Sequence, residues 1–222
     1  MRFVFMLTRS DQTVTDCLEV QDEIAPLGLE HVGFKDVGVE PPVLAELTRR
    51  LKASGATTYM EVVSTSAEAC LRSAQVGREI GVDWLLGGNL VPEVLAILAG
   101  SGVRYAPFPG KPVGHPTKLG GTPEDVEADC RRFDELGCGG VDLLAYRATD
   151  ADPLALVRAA RAGTRGMLLV AGSVHGPEQI RALAAAGADA FTIGSAAFDG
   201  SFSPRKGSLR SQLADIVAAC RA

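Results

Sequence analysis

Two charged residues lie inside apolar runs of the sequence, where a charge is costly unless it is paired or used. Lys35 lies in the run HVGFKD, and Glu61 lies in the run TTYMEVVS. Because burial disfavours the charged form of an amine, a lysine in such a run suits a base or a Schiff-base nucleophile. Glu61 suits the partner acid or base on a neighbouring strand. The alternative is a structural ion pair of Lys35 with Asp36 or Glu61.

Two Gly-Ser pairs, Gly172-Ser173 and Gly194-Ser195, each follow an apolar run that is typical of a buried strand. Without a Cβ atom, the main-chain N–H groups of such a turn can approach phosphate oxygens closely, and serine adds a hydroxyl donor. Neither turn contains an acidic residue. We therefore expect both turns to bind phosphate; two ordinary tight turns are the alternative.

Other polar residues follow further apolar runs, as catalytic and binding residues often do. Asn89 ends LLGGN, and Asp142 and Arg147 lie in VDLLAYR. We expect Asn89 and Arg147 to bind substrate, since an arginine suits a carboxylate or a second phosphate. A surface arginine explains Arg147 equally well. Asp142 lies early in its run and is expected to be a structural acceptor.

The elements that position these residues follow from a repeat of glycines. Each of seven glycines stops a helix-like segment just before an apolar run, with gaps of 21 to 35 residues. A glycine after the last helical turn can adopt the left-handed conformation that closes a helix. The seven are Gly28, Gly55, Gly81, Gly102, Gly137, Gly163 and Gly187.

Helical patterns at residues 42–53, 124–136, 152–162 and 177–186 lie between these runs, and a further strand opens the chain at residues 2–7. Eight strand-helix units, the last closed by a helix at residues 208–219, predict a single (β/α)8 TIM barrel spanning residues 1–222, an α/β fold with no domain boundary. A doubly wound open sheet is the rival, but no GxGxxG motif follows the first strand.

The barrel gives the two Gly-Ser turns a place, because the loops after strands 7 and 8 of such barrels often build a phosphate site. A short extra helix usually follows strand 8, and residues 195–198 suit that helix.

The stretch GSVHGPEQIRALAAAGADAFTIGSAAF resembles the C-terminal quarter of the ribulose-phosphate-binding barrel superfamily. The segments YMEVVSTS and LLGGNLVPEVLAILAGSGVRYAPFPG resemble the middle of the 2-keto-3-deoxy-6-phosphogluconate aldolases. The resemblance implies a phosphorylated sugar or ketoacid substrate and leaves the reaction open, because the superfamily includes isomerases, epimerases and aldolases.

No single family of this group carries over to the chain. The histidine-pathway isomerases use an aspartate at the end of strand 1, where this chain reads LTRSD, so that Asp11 is a stand-in at an uncertain offset. The aldolases place their Schiff-base lysine on strand 6, where this chain has VDLLAYR. The paired histidines and aspartates of the ribulose-phosphate epimerases are missing.

A long connection, PFPGKPVGHPTKLGGTP at residues 107–123, joins strand 5 to its helix. Long loops on the active face of a barrel are usually functional. We expect a lid over an anionic substrate, with Lys111 and His115 among the substrate-binding residues. A plain surface excursion is the alternative.

Composition limits the partners. The net charge of −5 argues against nucleic acid, and no apolar run approaches the length of a membrane span. Five scattered cysteines without a CxxC pair suit reduced thiols in a cytoplasm. Three histidines without metal-ligand spacing make a metal site improbable, and nothing indicates a cofactor. The sequence leaves open whether the chain forms a homo-oligomer.

These observations predict an enzyme that acts on a small phosphorylated sugar or ketoacid by proton transfer next to a carbonyl, as an epimerase or aldose-ketose isomerase does. Lys35 and Glu61 would carry that chemistry. A class I aldolase with Lys35 as the Schiff-base residue is one alternative. A barrel that binds a phosphorylated ligand without turnover is another.

Overall fold

The computed structural model describes residues 1–64 and 66–221. A closed ring of parallel strands forms its centre. The eight strands are β1 (Arg2–Met6), β2 (His31–Lys35), β3 (Thr57–Val62), β4 (Trp84–Gly87), β5 (Arg104–Ala106), β6 (Gly140–Leu143), β7 (Met167–Val170) and β8 (Ala190–Ile193). Neighbouring strands hydrogen-bond in the order β6-β7-β8-β1-β2-β3-β4-β5.

The two ends of this sheet meet and close it. The N–H of Gly139 donates to the carbonyl oxygen of Tyr105 at 2.9 Å, and that of Asp142 donates to the carbonyl oxygen of Pro107 at 3.0 Å. These bonds join β6 to β5, so the sheet is a barrel. The predicted (β/α)8 fold is confirmed, and the open-sheet rival is wrong.

Helices connect the strands around the outside of the barrel. They are α1 (Cys17–Ile24), α2 (Pro41–Ala53), α3 (Ala67–Ile80), α4 (Val91–Leu98), α5 (Pro123–Glu135), α6 (Pro153–Gly163), α7 (Pro177–Ala186), α8 (Ser195–Phe198) and α9 (Leu209–Ala219). Gly81 and Gly187 close α3 and α7 in the left-handed conformation, with φ of 68° and 98°. Six of the seven glycines in the repeat have positive φ, as the sequence predicted. The exception is Gly163, which is the last residue of α6 and is not left-handed.

Aromatic side chains fill the end of the barrel where the strands begin. The rings of Tyr59 and Trp84 stack with centroids 6.3 Å apart, and the guanidinium of Arg104 lies 4.1 Å from the centroid of Trp84. A second core lies between strands and helices, where α2 buries Leu44, Leu47 and Leu51. Because side chains fill the end where the strands begin, a ligand enters from the end where the strands finish.

Two antiparallel hairpins cover the end of the barrel where the strands finish. The first hairpin pairs Thr8–Arg9 with Gln12–Thr13 directly after β1. The second hairpin pairs Lys111–Val113 with Lys118–Gly120 and lies within the long connection after β5. Neither hairpin was predicted from the sequence, which indicated a lid in the second place.

The close approach of β6 and β7 gives a test of the closed barrel. A Cβ atom on Gly140 would collide with the main-chain nitrogen and oxygen of Met167, whereas one on Gly207 would have no heavy atom within 4 Å. Backbone atoms in a sheet cannot move aside, so we expect Gly140→Ala to lower the free energy of unfolding by about 1–3 kcal/mol. Gly207→Ala is the matched control and should change it by less than about 0.5 kcal/mol. Equal urea midpoints for the two variants would contradict this packing.

Candidate active site

A cavity of about 190 Å³ opens at the end of the barrel where the strands finish. Its wall brings together residues from six separate parts of the chain. Charged residues on the wall are Asp11, Lys35, Glu61 and Arg147, and both Gly-Ser pairs and His175 line it as well. Lys35, Glu61, Arg147 and the four turn residues of the sequence prediction therefore share one cavity.

Lys35 ends β2, and its side chain enters the barrel. The register pairs Lys35 with Glu61 on β3, so both side chains are directed to the same side of the sheet. The ammonium nitrogen lies 2.5 Å from Oδ1 of Asp11 and 3.3 Å from Oε1 of Glu61. Only 5% of the lysine side chain is exposed. Two carboxylates therefore replace water around one buried cation.

Asp36 is not the partner of Lys35. It accepts hydrogen bonds from the N–H of Val63 at 2.9 Å and from the hydroxyl groups of Ser64 and Ser73. Because successive residues of a strand face opposite sides, Asp36 lies outside the barrel while Lys35 lies inside. The predicted pairing with Glu61 exists, and the second partner is Asp11.

The tight turn of the first hairpin directs Asp11 into the cavity. Ser10 and Asp11 form its two central residues, and both have positive φ, 51° and 62°. Such a two-residue turn normally takes Asn-Gly or Asp-Gly, because positive φ is costly for residues with a side chain. The strained turn buries Asp11 and brings its carboxylate to Lys35. The position of Asp11 after the end of β1 could not be predicted from the sequence, because no local pattern indicated the hairpin.

Asp11 also binds Arg147, which follows β6 in a 3₁₀ turn (Ala145–Arg147). One terminal nitrogen of Arg147 donates to Oδ1 of Asp11 at 2.9 Å, and the other donates to the carbonyl oxygen of Thr117 in the second hairpin at 3.2 Å. Burial by itself would raise the pKa of Asp11, but Lys35 and Arg147 outweigh it and lower that pKa to about 2. Asp11 is therefore an anion at neutral pH.

The Gly-Ser turns pack closely against their neighbours. A Cβ atom on Gly172, which has φ of 77°, would collide with Nε of Arg147. A Cβ atom on Gly194 would lie 2.5 Å from the hydroxyl oxygen of Thr8. Both glycines are thus required by packing, in addition to any approach of a ligand. Ser195 begins the short helix α8, at the place expected from the sequence.

Asp142 lies on β6 and is completely buried. Neither of its carboxylate oxygens has a hydrogen-bond partner among the described residues. Burial raises the pKa of Asp142 well above 3.8, and the negative charge of Glu61 raises it further. The charged form of this carboxyl is therefore disfavoured where it lies. The expected role as an acceptor of structural hydrogen bonds is wrong.

The other candidate residues lie apart from this cavity. Asn89 lines a separate cavity of about 110 Å³ beside the second hairpin. Lys111 is exposed and pairs with Asp125 at 2.9 Å. Nδ1 of His115, in the turn of the second hairpin, lies 3.8 Å from Oδ2 of Asp11. His31 lies at the opposite end of the barrel, where its Nδ1 is 3.2 Å from the hydroxyl of Tyr59.

Within residues 1–64 and 66–221, no group of three or more His, Cys, Asp or Glu side chains is placed to hold a metal ion. None of the helices in the described part of the chain combines the length and the apolar character needed to span a bilayer.

No protein-family model matches the chain, and no curated protein sequence matches it. Solved structures do. The native KDPGal structure superposes with a TM-score of 0.70 at 15% identity, over 100% of this chain and 95% of the other. Orotidine 5′-phosphate decarboxylase from Pyrococcus horikoshii OT3 gives 0.68 at 13% identity, over 99% of both chains. A mutant tryptophan synthase α-subunit from Pyrococcus furiosus gives 0.67 at 15% identity, over 98% of both.

These three structures share the (β/α)8 barrel fold of this chain. The resemblance stated for residues 172–198 is thus confirmed at the level of the fold. At identities of 13–15% the likeness extends to the fold and no further, since one barrel fold supports many reactions.

The raised pKa of Asp142 has a consequence for stability. The folded chain keeps a proton on Asp142 that the unfolded chain releases above an ordinary aspartate pKa of 3.8, so this residue makes the folded state less stable as the pH rises. In Asp142→Asn that dependence is absent. Urea unfolding at about pH 4 and about pH 7 measures the free energy of unfolding of both proteins. Relative to the wild type, that of the variant should rise with pH by up to about 1.4 kcal/mol per pH unit. If the free energies of unfolding of the variant and the wild type differ by the same amount at both pH values, Asp142 is ionised in the folded protein.

Proposed function

We propose that the protein is an enzyme that moves a proton next to the carbonyl of a small phosphorylated sugar or ketoacid, with aldose-ketose isomerisation as the reaction that best suits the site. The observation that carries this proposal is the Lys35 ammonium, held between Asp11 and Glu61 in the same cavity as two Gly-Ser turns.

Lys35 would act as a cation. A carbon acid next to a carbonyl loses its proton more readily when the developing enolate oxygen meets a fixed positive charge in a site with little water. In the structure the Lys35 nitrogen makes ion pairs with two carboxylates within 3.3 Å. A Schiff-base nucleophile needs the neutral amine, so the geometry supports proton transfer over the aldolase alternative. The class I aldolase is retained as the alternative, because the fold resembles the native KDPGal structure.

Glu61 would be the base that takes the carbon-bound proton. Asp11 is a weak base, because Lys35 and Arg147 hold its pKa at about 2. Asp142 is completely buried, and burial raises its pKa well above the ordinary value. Inversion of a carbon centre generally needs a proton-transfer group on each face, whereas aldose-ketose isomerisation needs one base that serves two adjacent carbons. A single available carboxylate therefore favours isomerisation over epimerisation.

The two Gly-Ser turns would bind the phosphate. The main-chain N–H groups of Gly172, Ser173 and Val174 donate to no acceptor among the described residues, and the first N–H groups of a helix such as α8 have no partner within it. Nε of Arg147 lies against Gly172 and adds a positive charge beside this turn. Donors and charge together suit a phosphate dianion.

Several sequence predictions remain part of this proposal. They are a single barrel domain, work in a cytoplasm without metal or cofactor, and assembly as a homo-oligomer or a monomer. A barrel that binds a phosphorylated ligand without turnover is the alternative from another class, and it would use the same turns without exchanging any proton of the ligand.

A matched pair of serine variants tests the phosphate site. Ser195 and Ser208 are both exposed and stand at the start of a helix, where an aspartate is favourable for folding. Dihydroxyacetone phosphate or ribulose 5-phosphate, but not the unphosphorylated parents, should raise the melting temperature of the wild type and of Ser208→Asp. Ser195→Asp should fold normally and lose this shift, because its carboxylate repels phosphate. Phosphorylated and parent sugars that act alike on the wild type would overturn the phosphate site.

Solvent exchange tests the chemistry. In D₂O, the wild type should exchange the proton next to the carbonyl of a bound phosphorylated sugar, and Glu61→Gln should slow that exchange by at least about 100-fold. The exposed Glu124→Gln on α5 is the control and should exchange at the wild-type rate. Borohydride should trap no adduct. A stable adduct on Lys35 would establish the aldolase alternative, and tight binding without exchange would establish the non-catalytic one.

A further inference from the structure

One oxygen of the buried ion cluster has no partner. Oδ1 of Asp11 accepts from both Lys35 and Arg147, whereas Oδ2 is buried and accepts no hydrogen bond from any described residue. A buried carboxylate oxygen without a donor is costly, so a group that can supply one nearby has a reason to be there. The ring of His115, with Nδ1 3.8 Å from Oδ2, is such a group.

The second hairpin holds His115 over this oxygen. Leu119 of the hairpin is buried, and Lys111 ties its first strand to Asp125 on α5. Arg147 donates to both Asp11 and Thr117, so it links the two hairpins through one guanidinium. The imidazole itself is 37% exposed, and it lies 3.8 Å from Asp11, which lines the cavity. It can therefore exchange protons with solvent while one nitrogen faces Asp11.

We propose that His115 and Asp11 form a dyad in which His115 moves the oxygen-bound protons of the reaction. The separation of 3.8 Å is longer than a hydrogen bond, and such contacts tighten when a ligand closes the site. Nδ1–H of His115 donates to Oδ2 of Asp11, which leaves Nε2 as the base. This inference rests on the proposed isomerisation, and it assigns to the site the second proton-transfer group that the reaction needs.

The protons balance as follows. Glu61 takes the proton from the carbon next to the carbonyl, and the carbonyl oxygen becomes an enediolate oxygen beside Lys35. Nε2 of His115 takes the hydroxyl proton from the adjacent carbon and delivers it to the former carbonyl oxygen. Glu61 returns its proton to the former carbonyl carbon, so that both residues end in their starting state. Asp11 stabilises the imidazolium that exists between these steps.

His175 is the competing candidate, because it lines the cavity and His115 does not. It lies beside the Gly172-Ser173 turn, and its ring contacts no carboxylate among the described residues. A ring in that place suits the phosphate end of a ligand and lacks the aspartate that would fix its tautomer. His175 is therefore the matched control for His115.

The tautomer of His115 tests the dyad without any ligand. The chain has only three histidines, so long-range ¹H–¹⁵N spectra in mildly alkaline buffer resolve each ring, assigned by single substitutions. We expect His115 to be protonated on Nδ1. In Asp11→Asn, the two cations hold the amide oxygen and the amide NH₂ faces His115, so the ring should switch to protonation on Nε2. The signal of His31, at the far end of the barrel, should not change and reports folding. Protonation of His115 on Nε2 in the wild type would overturn the dyad.

Isotope kinetics separates this inference from the proposed function. With the phosphorylated sugar that the wild type isomerises, His115→Asn should lower kcat for isomerisation about 100-fold. It should slow exchange of the carbon-bound proton much less, because Glu61 is intact. His175→Asn should raise KM, and it should lower kcat much less than His115→Asn does. If His115→Asn isomerises the sugar at the wild-type rate, only the role of His115 is refuted. If the wild type exchanges no carbon-bound proton, the proposed function is refuted.

Discussion

A lysine ammonium inside a barrel stays charged only where other groups replace the water that it has lost. Lys35 meets this condition through Asp11 at 2.5 Å and Glu61 at 3.3 Å, and Asp11 in turn binds Arg147 at 2.9 Å. The cluster joins the ends of β2 and β3, the first hairpin and the turn after β6. Removal of any one partner leaves an uncompensated charge in the cavity, so the four side chains depend on one another.

The cluster requires space and an unusual backbone. Gly172 leaves room for Arg147, Gly194 leaves room for Thr8, and the turn at Ser10 and Asp11 accepts positive φ at two residues that have side chains. Such strain persists only where the surrounding structure supports it, and it is common at functional sites. Here the support is the pair of cations that hold the Asp11 carboxylate.

The barrel itself does not specify a reaction. The aldolase, the decarboxylase and the synthase subunit with similar structures share its fold at identities of 13–15%. What differs among such proteins is the set of side chains at the ends of the strands. In this chain that set is a cation between two carboxylates, a fully buried aspartate with a raised pKa, and two glycine turns. The proposed function depends on this set and not on the likeness.

The sequence by itself determined the barrel, because helix-closing glycines and eight apolar runs that form strands are local features that recur along the chain. It also determined the neighbourhood of Lys35 and Glu61, since consecutive parallel strands of a barrel are adjacent and both charges stand near the strand ends. The same reasoning located the turns that follow β7 and β8.

Only the tertiary structure decided which charges meet. Asp11 reaches Lys35 through a two-residue turn whose sequence, Ser-Asp, does not favour the required conformation, so no local signal indicated it. Asp142 is without a partner because barrel closure buries it completely, and closure is not visible in β6 alone. Asn89 and Lys111 follow β4 and β5 closely in the sequence, but both lie outside the cavity that Lys35 and Glu61 line. Their positions depend on the path of the second hairpin, which the sequence did not predict. Contacts between residues far apart in the chain depend on how the elements pack, and local patterns do not encode that packing.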